Sequence, residues 1–261
     1  MSVKSPPPPP ISAELEGLLR RLRLPYVRHA APEVLASATA QRWEPAEVLR
    51  VLLAEEAAGR DKATIRNRRR ASGLPSGKTL DAWEENASAI PKATQQALRT
   101  LEWIERAENL CVCGPSGTGK SHWLEALGHL AIEKGKTVAF HTLESLATLI
   151  GSHRADQSVS KAIAKLIKAD LIVIDDAGLL PISPEAAEAL FRVVDAAYER
   201  RSIAISSNIH PSGFDELMPK TLAAATVDRL LHHAHVIITD GQESYRLAQA
   251  TAGKGVMRLQ T

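Results

Sequence analysis

Leucines at positions 15, 18, 19 and 22 recur at the three- and four-residue spacing of a helical face and predict a first helix over residues 12–23. A longer helix opens at Pro45, where proline suits the first helical position, and Leu49, Leu52, Leu53 and Ala57 carry its apolar face. Its continuation runs to Arg70, with basic residues in the last turns and Gly73 just beyond. Trp43 and Trp83 are expected to pack the core of this helical part. From Pro91, Ala97, Leu98, Leu101 and Ile104 mark another helix. The pattern then changes, and short unbroken apolar runs alternate with amphipathic stretches. Strands are expected over 109–113, 137–141, 170–175, 202–206, 235–239 and 244–248. Helices are expected from 120, over 143–150, 158–168 and 184–199, and near 212 and 222. Runs such as Leu171-Ile-Val-Ile174 belong in a sheet covered on both faces. The fold class is therefore α/β, a mainly parallel sheet between helices, preceded by a small all-α domain. The expected division is a disordered proline-rich tail over 1–11, a helical domain over 12–90 and the α/β domain over 91–261.

Composition narrows the class. Of 261 residues 44% are hydrophobic, enough for a sizeable core. No apolar run reaches the length of a membrane span, and Pro6 to Pro10 lie where a secretory leader would need its apolar stretch. A cytoplasmic location without membrane contact is the expectation. Cys111 and Cys113 stand two apart on one strand, so both point to one face and read as small core residues.

Charge is nearly balanced, 32 basic residues against 30 acidic, so the bulk composition announces no nucleic-acid partner. The distribution says more. Arg60, Lys62, Arg66, Arg68, Arg69, Arg70 and Lys78 face Asp61 alone over residues 60–78, whereas residues 108–261 hold 15 basic and 17 acidic side chains. Those seven cations read either as a phosphate-binding surface for an acidic polymer or as a solvated helix end that suits the helix dipole.

The sharpest chemistry lies at Gly114-Pro115-Ser116-Gly117-Thr118-Gly119-Lys120-Ser121, which fits the phosphate-cradling pattern GxxxxGK[ST] between an apolar strand and an amphipathic helix. Its glycines let successive N–H groups point at an anion, and the helix that starts near Lys120 adds the positive end of its dipole. Lys120 is expected to reach the β- and γ-phosphates, Ser121 to hold Mg²⁺, and His122, next on the first helical turn, to join the loop residues in binding the nucleotide. Leu171-Ile-Val-Ile-Asp175-Asp176 ends a second buried strand in carboxylates, which places Asp175 to bind the phosphate-bound Mg²⁺ and Asp176 to act on water. Ile203-Ala-Ile-Ser-Ser-Asn208 ends a third, whose amide can stand between the γ-phosphate and the water. Arg229, after Asp228 on a later helix, has the fixed guanidinium that an arginine finger needs; its bland alternative is a surface ion pair with Asp228 or Asp240. His232, His233 and His235 lack an acidic or cysteine complement at a standard spacing, so they read as polar packing at a helix end rather than a metal site.

Taken in order, Gly114 to Ser121, Asp175-Asp176-Ala-Gly178, Ser206-Ser-Asn208, Asp228-Arg-Leu-Leu-His-His233 and Gly241-Gln-Glu-Ser-Tyr-Arg246 resemble the IstB-like ATP-binding proteins, helper ATPases of one class of bacterial insertion sequence. These are similar to the helicase loader DnaC and the initiator DnaA. The resemblance covers about residues 12–255 and is strongest from Asn109 onward. It implies an AAA+ ATPase domain that uses ATP and Mg²⁺, ATP- and DNA-dependent assembly of a homo-oligomer on double-stranded DNA, and delivery of that DNA to a transposase encoded by the same element. It implies catalytic roles for Asp176, Asn208 and Arg229, the last completing a neighbouring subunit's site, and a second basic contact at Arg246. Two departures stand out. Asp176 occupies a position where AAA+ proteins commonly carry Glu, which implies slow hydrolysis, and His122-Trp123 puts bulky rings where the family usually has a smaller residue. A DnaC-like helicase loader shares the same core and remains open as the alternative; a small-molecule kinase is disfavoured because no arginine-rich substrate lid follows Asp175.

Overall fold

Ser12 opens the first helix: its Oγ accepts the Leu15 N–H at 3.2 Å and caps α1 (Ala13–Arg21). The computed structural model describes residues 8–154, 157–177, 182–216 and 218–239 of the chain. It divides into two compact units, residues 1–67 and 68–261. The division falls earlier than the Pro91 boundary expected from the pattern, because residues 74–90 pack on the second unit.

In the first unit α1 is followed by α2 (Pro25–Gln41), and α3 (Pro45–Ser72) begins there. The hydrophobic pattern hides α2. Its first residue and an interior one, Pro32, are prolines, and its apolar face is weak. What holds it is a side chain far away in sequence. Glu56 of α3 is only 5% exposed, and its Oε2 accepts the N–H of Tyr26 at 2.9 Å and of Val27 at 3.0 Å, closing the first turn of α2. Arg60 donates to Glu56 Oε1 at 2.8 Å and to the Arg23 carbonyl at 2.6 Å. Burial alone would push the Glu56 carboxyl up, but the Val27 N–H, Arg60 and the Tyr26 N–H together hold it below its ordinary value. Gly59 makes room for this crossing, since a Cβ there would stand 2.2 Å from the Tyr26 ring. Of the α1 stripe only Leu19 is buried, while Leu22 stays 64% exposed. Trp43 is half-buried, with its indole N–H on Gln41 Oε1.

The second unit runs through α4 (Lys92–Arg99), α5 (Glu102–Glu105), β1 (Asn109–Cys113), α6 (Lys120–Glu133), β2 (Val138–Thr142) and α7 (Leu143–Ser152). It continues through α8 (Val159–Leu166), β3 (Leu171–Ala177), α9 (Pro184–Ala197), β4 (Ser202–Ser207), α10 (Lys220–Leu231) and β5 (Ala234–Ile238). These strands form one five-stranded parallel sheet in the order β2-β3-β4-β1-β5. The central strands β1 and β4 are buried throughout and β3 at every residue but Asp176, with apolar runs along their middles, and α6 is buried along most of its length. Asn109 ties the sheet to its helices: its side chain donates to the Leu230 carbonyl at 2.9 Å and accepts the Ile203 N–H at 2.9 Å. The strand expected over 244–248 lies outside the described residues, as do Gly178, Asp240 and the 241–246 motif with Arg246.

Residues 74–83 run as a strap along α6. Leu74 meets Gly128, the Pro75 carbonyl meets His129 Nε2 at 3.0 Å, Lys78 pairs with Glu125, and the Thr79 carbonyl meets His122 Nε2 at 3.1 Å. The strap ends in Trp83, whose ring centroid lies 5.1 Å from those of both His122 and Trp123. Trp83 thus belongs to the α/β unit, not to the core of the helical one. Its indole N–H donates to Gln95 Oε1 at 2.8 Å, and Trp123 is fully buried beneath it.

Candidate functional site

Three neighbouring strands end at one edge of the sheet, and each delivers a predicted residue there. β1 runs into the loop Gly114–Gly119, β3 ends in Asp175 and Asp176, and β4 leads to Asn208. Because β3, β4 and β1 are adjacent and parallel, their carboxyl ends form a single row.

The loop is built on glycine geometry. Gly114, Gly117 and Gly119 have φ of 143°, 87° and 89°. At Gly114 the constraint is doubled, since a Cβ would stand 2.1 Å from Thr239 Oγ1 and 2.3 Å from the Thr239 carbonyl oxygen. Thr239, just past β5, accordingly buttresses the loop from beneath. Its N–H and hydroxyl both donate to the Cys113 carbonyl, at 2.7 and 3.0 Å, and its Oγ1 lies 2.9 Å from Thr118 Oγ1. Nothing in the sequence pattern singles Thr239 out, because its role comes from strand order. Lys120 is buried to 7% exposure, and its Nζ donates to the Gly114 and Pro115 carbonyls at 2.7 and 2.8 Å. Ser121 is half-buried on the first turn of α6. Pro115 and Ser116 form the exposed rim.

Asp175 is 5% exposed and accepts from the Ser206 hydroxyl. Asp176 is exposed, with its N–H on Ser206 Oγ at 3.0 Å and a left-handed φ of 59°. Asn208 is half-buried, its N–H donating to the Ala177 carbonyl at 3.2 Å. The Ser121 hydroxyl and the Asp175 carboxylate offer oxygen donors only, which is the chemistry a hard cation such as Mg²⁺ takes. Both cysteines before the loop are buried, and burial pushes the Cys113 thiol up to about 11 and the Cys111 thiol further still.

Beside the loop, Trp83, Ala87, Ser88, Thr118, Gly119 and His122 line a pocket. The sequence points Trp83 to the helical domain and counts His122, a bulky departure, among the nucleotide-binding residues; the strap makes them two walls of one cleft.

Arg229 is placed apart from this row, in the seam between α9 and α10. Its Nε lies 2.9 Å from Asp195 Oδ1, its Nη1 donates to the Ala225 carbonyl at 3.1 Å, and its guanidinium sits 5.7 Å from the Phe191 ring. The acid it meets is Asp195 rather than Asp228. One turn along α9's exit, Glu199 joins His232 and His233, three exposed side chains with possible ligand atoms within 4.8 Å of one another. The sequence shows no acid for these histidines because Glu199 is supplied by the fold. His232 Nδ1 also meets Tyr198 Oη at 2.7 Å, and His235 pairs with Glu108 at 2.8 Å instead of joining them.

The seven cations of residues 60–78 have diverged in task. Arg60 is bound to Glu56 in the first unit, Arg69 pairs with Glu133, and Lys78 Nζ lies 2.6 Å from Oε1 of the buried Glu125. Burial pushes the Glu125 carboxyl up and Lys78 pulls it back. Lys62 and Arg66, one helical turn apart on α3, are exposed; Arg70 is exposed in the second unit, and Arg68 there is half-buried.

A family model described as "IstB-like ATP binding protein" matches residues 17–252. The chain is 32% identical over 238 residues to the insertion sequence IS21 putative ATP-binding protein of Pseudomonas aeruginosa, covering 90% of this chain and 89% of that one. It is 33% identical over 245 residues to a putative insertion sequence ATP-binding protein of Sinorhizobium fredii, covering 93% and 82%. Among solved structures it is similar to AMPPCP-bound DnaA from Aquifex aeolicus, with a TM-score of 0.52 and 19% identity over 72% of this chain and 58% of that longer one. That likeness shows the AAA+ fold. Among the described residues no helix is long and apolar enough to cross a membrane.

Proposed function

The chain belongs to the family of IstB-like ATP-binding proteins, and from that premise we propose that it is a DNA-stimulated ATPase that assembles as a homo-oligomer on double-stranded DNA and presents it to the transposase of its own insertion element. The observation that carries the reading is the row of strand ends: a glycine loop with Lys120 and Ser121, the Asp175–Asp176 pair and Asn208, all at one edge of a parallel sheet. In this reading the loop N–H groups and Lys120 take the phosphates, and the base lies against Trp83 and His122 in the neighbouring pocket. When bound, Mg²⁺ supplies neutralisation of the phosphate charge, and Ser121 and Asp175 are the residues to hold it.

Asp176 faces out of the sheet and orients the attacking water, and Asn208 reports on the γ-phosphate from the next strand. With a carboxylate one methylene shorter than Glu, Asp176 supports slow turnover, as suits a timed switch. Arg229 completes a neighbouring subunit's site from the α9–α10 seam. Lys62, Arg66 and Arg70, exposed and basic, contact DNA phosphates. A cytoplasmic setting belongs to the same reading.

The test is assembly on duplex DNA followed by sedimentation or particle imaging, with ATP, with ADP and without nucleotide, across a salt series. ATP-dependent particles on DNA with salt-sensitive affinity are expected. A chain that binds ATP yet neither assembles on duplex DNA nor loses affinity with salt would overturn the assignment. Recovery of a replicative helicase rather than a transposase by the full chain would transfer it to helicase loading.

A further inference from the structure

The edge that carries both aspartates contains an irregularity, and Ser206 is its pivot. β3 and β4 pair in step from Leu171 opposite Ser202 to Ile174 opposite Ile205, but the next pair is Ala177 opposite Ser207. Asp175 and Asp176 therefore share the single place facing Ser206, which is a β-bulge. Ser206 is 1% exposed, and its hydroxyl makes one bond to each aspartate: it accepts the Asp176 N–H at 3.0 Å and donates its proton to Asp175 Oδ1. A serine hydroxyl has only one proton to give, so donation to Asp175 leaves its lone pairs for Asp176. The two adjacent carboxylates differ as a result. Asp175 stays buried on the sheet, while Asp176 takes a left-handed backbone and faces solvent.

We propose that Ser206 is the positioning residue that gives these two aspartates separate tasks, fixing Asp175 as the carboxylate that faces the cation and holding open the bulge that turns Asp176 outward. The proposal rests on the nucleotide-site reading above. With Oδ1 engaged by Ser206, Oδ2 is the Asp175 oxygen left for the cation, and the carboxylate plane is set before any ligand arrives. The same strand tip reaches the other two parts of the site. Ser207 accepts the Gly114 N–H at 3.0 Å through its carbonyl, and Asn208 donates its N–H to Ala177. β4 thus connects phosphate loop, metal-side carboxylate and water-side carboxylate through consecutive residues.

The experiment measures the affinity of a fluorescent ATP analogue in EDTA and in excess Mg²⁺, for the wild-type chain and for Ser206→Ala, Ser206→Cys and Ser206→Thr, with thermal unfolding recorded for each. Ser206→Ala is expected to keep its EDTA affinity within about twofold and to lose about tenfold or more of the gain that Mg²⁺ brings. Threonine restores the donor and most of that gain; cysteine, of similar size but a weak donor, falls between. Should alanine fail to fold, the gap between cysteine and threonine carries the comparison. A wild-type Mg²⁺ gain in Ser206→Ala, or equal loss of affinity with and without Mg²⁺, overturns the proposal. A wild-type chain that binds no nucleotide in either condition overturns the nucleotide-site reading as well.

Discussion

Trp83 stands over Gly119: its ring atoms lie 3.2 Å from where a Cβ on that glycine would be, and Gly119 is the last residue of the loop before α6. An indole so close to the loop must change surroundings when a nucleotide is taken up there. Addition of MgATP is expected to shift the tryptophan emission, and Trp83→Phe to abolish most of the shift while preserving affinity within about threefold. Trp83→Ala, which removes the wall against which a base can stack, is expected to weaken binding by about 1–3 kcal/mol. Saturable binding by calorimetry with no change in emission would place the base elsewhere.

Glu56 sets a second expectation, in the helical unit. Glu56→Ala leaves the Tyr26 and Val27 N–H groups without their acceptor and Arg60 without its partner, at a cost of about 2–4 kcal/mol. The pH dependence follows from the lowered carboxyl value. Its stabilisation is complete above the ordinary 4.5 and is lost as pH falls through the folded-state value beneath it. Hydrogen exchange of α2 amides should therefore show Glu56→Gln less protected than wild type near pH 6, with the difference narrowing towards pH 3. A constant difference across that range would rule out the charged form as the source.

The basic residues should separate by what they already hold. Removing one cation that binds a DNA phosphate lowers the slope of log affinity against log salt by about 0.9, so Arg66→Ala and Lys62→Ala are each expected to flatten it by roughly that amount without changing the fold. Lys78→Ala should instead leave the slope unchanged and lower the melting temperature, because Glu125 then stands buried without its partner. A salt titration of duplex binding beside a melting curve distinguishes the two classes, and equal slopes for Arg66→Ala and wild type would remove Arg66 from the DNA surface.

How much of the fold and site is legible in the sequence depends on the range of the interaction. The loop from Gly114 to Ser121, the carboxylates after β3 and Asn208 after β4 are written locally, as apolar strands followed by polar tips, and the parallel sheet places them in one row. What pattern does not show is set by residues distant in sequence. Helix α2 escapes it because Pro25 and Pro32 argue against a helix, while the carboxylate that caps it, Glu56, sits on another helix. Thr239 under Gly114, Glu199 beside His232 and His233, and Asp195 beside Arg229 are likewise brought together only by strand and helix order. Pattern alone puts Trp83 in the wrong unit because its indole could pack any core; the strap along α6, anchored by Leu74 on Gly128, decides which.

Arg229 gives the sharpest separation of binding from turnover. It is held at 2.9 Å from Asp195 and has its own contacts on α9 and α10, whereas Lys120 is built into the loop itself. Lys120→Ala should therefore lose nucleotide affinity at its own site and, on its own, the assembly that nucleotide drives. Arg229→Ala should keep ATP affinity within about threefold and lose about a thousandfold or more of the stimulated turnover, the range in which arginine fingers act. Arg229→Lys should not restore it, since an ammonium lacks the planar fork that meets spreading phosphate charge. Mixing decides whether the arginine acts on a neighbour. Each variant is inactive alone, but a mixed assembly can pair an intact loop on one subunit with an intact Arg229 on the next and so recover part of the turnover. Full activity in Arg229→Ala alone would remove the finger, and no recovery on mixing would confine the residue to its own subunit.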